Sequence, residues 1–256
     1  AAGYGRPIHP DLKPPVMPTS PTNAMVLAAG LGLRMRPITD TIPKPLVAVA
    51  GKPLLDHVLD HLAAAGVAAA VVNTHYLPDQ IIAHVASRQA PRVHISDERD
   101  RVLGTGGAVV KALPQLGDAP FFHLNADTLW IDGARPNLTR LAESFDPKRM
   151  DILLLRAPTA TSIGYSGRGD YAMAPDGALR RRKEREIAPF VYAGAAILSP
   201  HLFRGEPLEE FPLTRVFDRV EAQGRLHGLR LDGVWMHVGT PEAIAAADAA
   251  YLASVA

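Results

Sequence analysis

The sequence has no cysteine. Disulfide frameworks, thiolate-ligated zinc, iron–sulfur clusters and cysteine nucleophiles are therefore excluded. It also lacks an excess of either charge: 27 Lys and Arg against 26 Asp and Glu leave +1 over 256 residues. Nucleic-acid-binding chains show a basic stripe or face, so no nucleic-acid partner is expected. No apolar run approaches the roughly 18 residues of a membrane helix, and no membrane partner is expected. The opening 22 residues lack the apolar centre of a signal peptide. They hold six of the 23 prolines. They are expected to form a poorly ordered extension, or a non-native remnant, ahead of a domain at 23–256. The missing targeting segment and missing cysteine point to the cytoplasm.

What is present is alternation. Ala24–Ala29 is a short apolar run ending at Gly30, as a buried strand does. Pro53–Ala65 places Leu54, Leu55, Val58, Leu59 and Leu62 at helical spacing, opened by proline and closed by Gly66. Strands are predicted at Ala70–Asn73, Arg92–Ser96, Phe121–Asn125 and Ile152–Arg156, and helices at Asp79–Ser87, Gly106–Leu113 and Asn137–Phe145. Such alternation implies βαβ units and a Rossmann-like α/β fold, a doubly wound, mostly parallel sheet covered on both faces. After Pro158 the pattern becomes β-rich. A hairpin is predicted from Tyr171–Met173 and Ala178–Arg182, then a strand at Phe190–Leu198 and a helix at Leu213–Ala222. Strands at Leu226–Leu231 and Trp235–Val238 and a last helix from Thr240 complete the chain. Ligands of such sheets bind beyond the carboxyl ends of the strands, which here carry Gly30–Arg36, Asn73–His75 and Asn125–Asp127.

The most informative stretch is Leu27-Ala28-Ala29-Gly30-Leu31-Gly32-Leu33-Arg34-Met35-Arg36-Pro37-Ile38-Thr39, followed by Pro43-Lys44-Pro45. Small residues let a backbone approach a ligand, and successive N–H groups cradle phosphate. Arg34 offers a bidentate fork to phosphate oxygens and Lys44 a point charge. Met35 stands where a dinucleotide fingerprint needs its third glycine, and no Gly-Lys-Ser/Thr of a P-loop follows.

This opening resembles that of the sugar-1-phosphate nucleotidylyltransferases, which join a nucleoside triphosphate to a sugar 1-phosphate and release pyrophosphate. The resemblance runs from Ala24 to the C-terminus. Within the family, the small size, Gly167-Arg168-Gly169-Asp170 and the close Trp235…Val238-Gly239-Thr240-Pro241-Glu242 are most similar to the N-acetylmuramate-1-phosphate uridylyltransferases, which serve cell-wall recycling. UTP is accordingly the favoured triphosphate. Mannose-1-phosphate guanylyltransferases share the opening and are the alternative. A reading of another class is a catalytically silent nucleotide-sugar-binding regulator.

The resemblance implies a nucleotidyltransferase-type sheet with a small sugar-binding elaboration, and it assigns roles. Leu27, Ala28, Ala29, Gly30 and Gly32 would cradle the nucleotide. Arg34 would stabilise the triphosphate and departing pyrophosphate, and Lys44 would hold the attacking sugar phosphate. Asp127, in Asn125-Ala126-Asp127, would hold Mg²⁺, which takes one or two carboxylates beside phosphates and water. Gly104, Thr105 and Gly106 in Leu103-Gly104-Thr105-Gly106-Gly107 would admit the base or ribose, read by an upstream polar residue, Glu98 or Asp97. Asn125, Gly164, Arg168, Asp170, Glu184 and Gly194 are the candidate sugar contacts. Arg168 or one of Arg180-Arg181-Arg182-Lys183 would meet a lactyl carboxylate, unless that run is a solvated hairpin edge.

One position departs from the pattern. The family usually carries a second metal carboxylate in Trp-x-Asp-Val-Gly-Thr, and here the segment reads Trp235-Met236-His237-Val238-Gly239-Thr240. Imidazole suits Mn²⁺, Co²⁺ or Zn²⁺ better than Mg²⁺. Four readings stay open: His237 ligates a softer metal, it contacts phosphate, Asp127 carries the metal with waters, or activity is lost. His57 and His61, four apart on the first helix, lack the glutamate of HExxH and are expected at the surface.

Overall fold

A computed structural model describes residues 20–255. Of the expected extension, residues 1–19 lie outside the described residues. Thr22 is already tied in, its carbonyl accepting the Ala68 N–H at 2.8 Å.

In chain order the elements are β1 (Asn23–Leu27), β2 (Ala48–Val49), β3 (Lys52–Pro53), α1 (Leu54–Ala64), β4 (Ala69–Thr74), α2 (Pro78–Val85), β5 (Arg92–Asp97) and α3 (Gly104–Leu116). There follow β6 (Phe121–Asn125), β7 (Thr128–Asp132), α4 (Asn137–Ser144), β8 (Ile152–Pro158), β9 (Tyr171–Met173), β10 (Leu179–Arg181) and β11 (Phe190–Leu198). α5 (Thr214–Ala222), β12 (Leu226–Arg230), β13 (Gly233–His237) and α6 (Pro241–Val255) complete it.

Strands β6, β1, β4 and β5 are neighbours and parallel. β11 joins β6 antiparallel and carries β8 and β9, with β12 beyond β8 and β10 beyond β9. The result is the expected α/β architecture, a mostly parallel centre extended by a β-rich flank. Alternation along β1 sorts the core. Ala24, Val26 and Ala28 face the cluster formed with α1, α2 and α4, through Leu55, Leu59, Ile81 and Leu141. Met25 faces the cluster formed with α3 and α5, through Ala108, Val109, Val216 and Phe217. Both faces of the sheet are thus covered, so its central strands are apolar throughout. The chain runs outward from β1 to β4 and β5, then returns across β1 to β6. That reversal opens a crevice at the carboxyl ends of β1, β4 and β6.

One pairing departs from the sequence reading. Thr128–Asp132 is a strand and pairs antiparallel with β13, with Thr128 opposite His237 and Asp132 opposite Gly233. This two-stranded sheet packs under α6 with Met35, Val49, Leu54, Leu129 and Met236 in a third cluster. The two helical histidines are also less exposed than expected, His61 being half-buried. His57 is buried, its Nε2 3.0 Å from the Val49 carbonyl. His61 stacks on Trp130 with ring centroids 4.3 Å apart and sets Nδ1 3.3 Å from Asp132. Amphipathic helical spacing marks the edge of the apolar stripe but not what covers it, and here β7 and α6 do. Among the described residues no helix is long and apolar enough to cross a membrane.

Candidate active site

The crevice at the strand ends is a cleft of ≈ 280 Å³. Its wall begins with Leu27, Ala28, Ala29 and Gly30 leaving β1, and continues through Asn73, Glu98, Gly104, Thr105, Asn125, Asp127 and Lys44. A Cβ on Gly30 would meet no protein atom within 4 Å, so nothing in the chain itself requires glycine there. Gly32 has a different task. It sits at φ +65°, outside the cleft, and a Cβ would press on Thr39 at 3.0 Å and on the Lys44 stem at 3.1 Å. Its carbonyl accepts the Thr39 hydroxyl at 2.8 Å. Gly32 therefore lets the loop pack against the lysine instead of touching the cleft.

Glu98 is buried at 2% exposure and lines the cleft. Its Oε1 accepts the Asn73 amide at 3.0 Å, and its Oε2 has no hydrogen-bond partner. Burial raises its pKa, opposed by the hydrogen bond from Asn73. Asp97 points elsewhere, paired with Arg99 at 2.8 Å. Of the two upstream candidates, the geometry puts Glu98 in the cleft.

The charged groups meet at the opposite wall. Lys44 Nζ lies 2.6 Å from Asp127 Oδ2, its side chain 11% exposed against 38% for Asp127. The β7–β13 register puts His237 opposite Thr128, next to Asp127. Burial lowers the His237 pKa, the Lys44 and Arg34 cations lower it further, and Asp127 opposes them. Arg34 stands exposed on the loop after β1, outside the cleft wall, and among the described residues no ion-pair partner meets it.

The glycines of Leu103–Gly107 serve the chain more than the motif alone suggests. A strap at 208–213 crosses the start of α3. Gly106 N–H donates to the Phe211 carbonyl at 2.8 Å, Phe211 N–H to the Leu103 carbonyl at 3.2 Å, and Leu213 N–H to Thr105 Oγ1 at 2.7 Å. A Cβ on Gly106 would collide with the Phe211 ring, and one on Gly107 with the Glu209 carbonyl. Gly104 and Thr105 line the cleft, whereas Gly106 does not. A glycine that admits a ligand and one that admits a phenylalanine look alike in sequence.

The six sugar-side candidates divide. Asn125 lines the cleft. Gly194, at φ +78° in an irregularity of β11, would place a Cβ 3.0 Å from Thr128 and 3.2 Å from Asn125. Gly164 packs on β13, where a Cβ would come within 2.6 Å of the His237 carbonyl. Arg168 is exposed. Asp170 and Glu184 line a second cleft of ≈ 320 Å³ with Arg181, Arg182, Tyr192 and Phe217. Asp170 holds β9 to β11 by accepting the Tyr192 N–H at 2.8 Å. The basic run is an exposed hairpin edge whose charges have partners: Arg180 pairs with Glu186, Arg181 with Asp218, and the half-buried Arg182 bonds the Gly169 carbonyl.

Among the described residues no three His, Asp or Glu side chains form a metal cluster. Asp127 beside His237 is a two-donor set, one hard oxygen and one nitrogen. That fits a divalent cation taking its remaining ligands from phosphates and water.

Asn73 enters the sequence reading only as part of a polar strand end. Its role lies in two bonds to residues far along the chain, which no local pattern shows. Its Oδ1 accepts the Ala28 N–H at 2.8 Å, and its Nδ2 donates to Glu98.

Comparison with known proteins agrees with this geometry. The family model described as nucleotidyl transferase matches residues 23–166. The chain is 46% identical over 237 residues to the N-acetylmuramate alpha-1-phosphate uridylyltransferase of Caulobacter vibrioides, covering 91% of this chain and 98% of that protein. It is 30% identical to the mannose-1-phosphate guanyltransferase of Aspergillus fumigatus, over 91% of this chain and 65% of that one. The crystal structure of HddC from Yersinia pseudotuberculosis complexed with GMP-PN superposes with a TM-score of 0.72 at 24% identity, over 90% of this chain and 99% of that one.

Proposed function

The chain belongs to the nucleotidyl transferase family, and we propose that it transfers UMP from UTP to N-acetylmuramate 1-phosphate, releasing pyrophosphate. The observation that carries this reading is the 46% identity with the Caulobacter uridylyltransferase over nearly the whole of both chains. The cleft at the strand-order reversal, lined by Lys44, Glu98 and Asp127, supports it. The product is a UDP-sugar of cell-wall recycling, made in the cytoplasm where UTP is held. Residues 23–256 act as one catalytic unit.

Phosphoryl transfer of this kind rests on positioning and charge stabilisation. A phosphate oxygen of the sugar 1-phosphate attacks the α-phosphorus of UTP, and the bond to the β-phosphate oxygen breaks as pyrophosphate leaves. The attacking oxygen is already an anion and needs no general base. Lys44 holds the sugar phosphate. Arg34, free on its loop, folds its guanidinium over the triphosphate and stabilises the charge that grows on pyrophosphate. Glu98 accepts an N–H from the base. Asp127, with His237, would hold the divalent cation, Mg²⁺ or a softer Mn²⁺ or Co²⁺, which would neutralise phosphate charge. Asn125 and Gly194 bound the sugar side of the cleft. Gly164, Arg168, Asp170 and Glu184 lie outside that cleft, Asp170 and Glu184 lining the second one.

The test is pyrophosphate release from a panel of nucleoside triphosphates and sugar 1-phosphates with Mg²⁺ or Mn²⁺. UTP with N-acetylmuramate 1-phosphate is expected to turn over fastest. A preference for GTP with mannose 1-phosphate would replace this reading by the guanylyltransferase one. No release from any pair would leave the silent regulator.

A further inference from the structure

We infer that Asn73 is a positioning residue that sets the hydrogen-bonding sense of residue 98 toward the base, and through it the choice between uracil and cytosine. This rests on the reading that Glu98 meets the base. An asparagine amide has one acceptor end and one donor end. The Ala28 N–H can only donate, and it donates to Asn73 Oδ1 at 2.8 Å. The amide is thereby oriented without ambiguity, and Nδ2 is aimed at Glu98 Oε1 at 3.0 Å. One carboxylate oxygen is consumed, and the other, Oε2, is left as the unpaired buried acceptor of a residue that lines the cleft. The backbone of Glu98 is pinned as well. Its N–H donates to the Thr74 carbonyl at 2.7 Å, and its own carbonyl lies 2.8 Å from His75 Nδ1. The residue cannot slide to offer a different edge. Asn73 itself is 3% exposed and bridges the phosphate loop after β1 to the base-reading carboxylate.

Uracil presents N3–H, a donor, and cytosine presents a bare N3, an acceptor. An unpaired acceptor selects the first and rejects the second, because the wrong base leaves a buried polar group unmet. The bond from Asn73 makes this selectivity switchable at two positions. In Glu98→Gln, the amide donor of Asn73 still requires an acceptor. The carbonyl of the introduced glutamine turns to it, and the glutamine NH₂ faces the base. The site then presents a donor and favours cytosine. In Asn73→Asp with Glu98→Gln, the introduced aspartate still accepts the Ala28 N–H and now also accepts from the glutamine NH₂. The glutamine carbonyl is turned back to the base, and uracil is favoured again. In Asn73→Ala with Glu98→Gln the glutamine amide is free to turn, and neither base is strongly preferred.

The experiment measures UTP and CTP affinity by calorimetry, and nucleotide KM and kcat with N-acetylmuramate 1-phosphate, for the full chain and these variants. Thermal melts check that each is folded. Glu98→Gln is expected to shift the UTP:CTP affinity ratio toward CTP by about tenfold or more, on the scale of one mismatched hydrogen bond. The Asn73→Asp double variant is expected to shift it back by a similar factor, and the Asn73→Ala double variant to fall between. The change should appear in nucleotide KM more than in kcat, and not in the KM of the sugar phosphate. Equal ratios in Glu98→Gln and in both double variants overturn the role of Asn73. An unchanged ratio in Glu98→Gln alone removes Glu98 as the reader and the inference with it. The wild-type substrate panel reports on the proposed reaction separately, so the two failures are told apart.

Discussion

Acidification should weaken the fold through one histidine, by an amount the structure sets. His123 lies in the middle of β6, fully buried, with Nδ1 3.3 Å from the Tyr192 hydroxyl and Nε2 without a partner. Burial pushes its pKa down from 6.5 to about 4. Below pH 6.5 the unfolded chain takes up a proton that the folded chain refuses until about pH 4. The stability present above that window is therefore lost as the pH falls through it. At about 1.36 kcal/mol per pH unit, the loss is about 2 kcal/mol by pH 5 and about 3 kcal/mol by pH 4. Paired carboxylates such as Asp60 and Asp132 are held below their usual range, so their contribution is lost at lower pH, as they protonate. His57 and His237 are also lowered by burial, and a variant isolates His123 from them. Urea unfolding followed by circular dichroism at pH 7, 6 and 5 should show the wild type losing about 2 kcal/mol more than His123→Gln. Parallel losses in the two proteins would refute the reasoning, and with it the assignment of a neutral imidazole on the strand that carries Asn125.

Arg34→Ala should lower turnover by about a hundredfold, the scale of one preorganised donor aimed at developing charge, with an unchanged melting temperature because the side chain is exposed. Steady-state kinetics and a thermal melt check both halves. Gly106→Ala should cost about 1–3 kcal/mol by overpacking against the Phe211 ring. The cost should shrink when Phe211 is cut back to Leu in the same chain, as a double-mutant cycle of denaturation would show. Asp127→Ala should abolish metal-dependent turnover, whereas His237→Ala should keep a measurable fraction. His237→Asp should move the preference from Mn²⁺ or Co²⁺ toward Mg²⁺. Equal loss in Asp127→Ala and His237→Ala across the three ions would make the imidazole an essential ligand.

The parallel half of the fold was legible because its inner strands β1, β4 and β6 are buried on both faces and read as apolar runs, as Phe121–Asn125 does. The β7–β13 pairing was not. Thr128–Asp132 follows β6 after two residues and meets a partner about a hundred residues later. Local periodicity carries nothing across that distance. The juxtaposition of Asp127 with His237 depends on it, so the sequence alone left His237 with four readings. Leu103–Gly107 was legible as a segment at the cleft, where Gly104 and Thr105 stand, but the packing task of Gly106 and Gly107 was not, since Phe211 and Glu209 are absent from any local window.

That distinction bears on which residues speak for function. Gly32, Gly106, Gly107 and Asp170 have structural tasks that would be needed in a silent protein as much as in an enzyme. Arg34 and the Oε2 of Glu98 do not. Arg34 adds no ion pair among the described residues, and the buried Oε2 of Glu98 goes without a hydrogen bond, a burden of about 1–3 kcal/mol. The fold gains nothing from either group, whereas a base in the cleft would satisfy the second and a triphosphate the first. It is these unneeded groups, more than the glycines of the opening motif, that argue for a working nucleotide site.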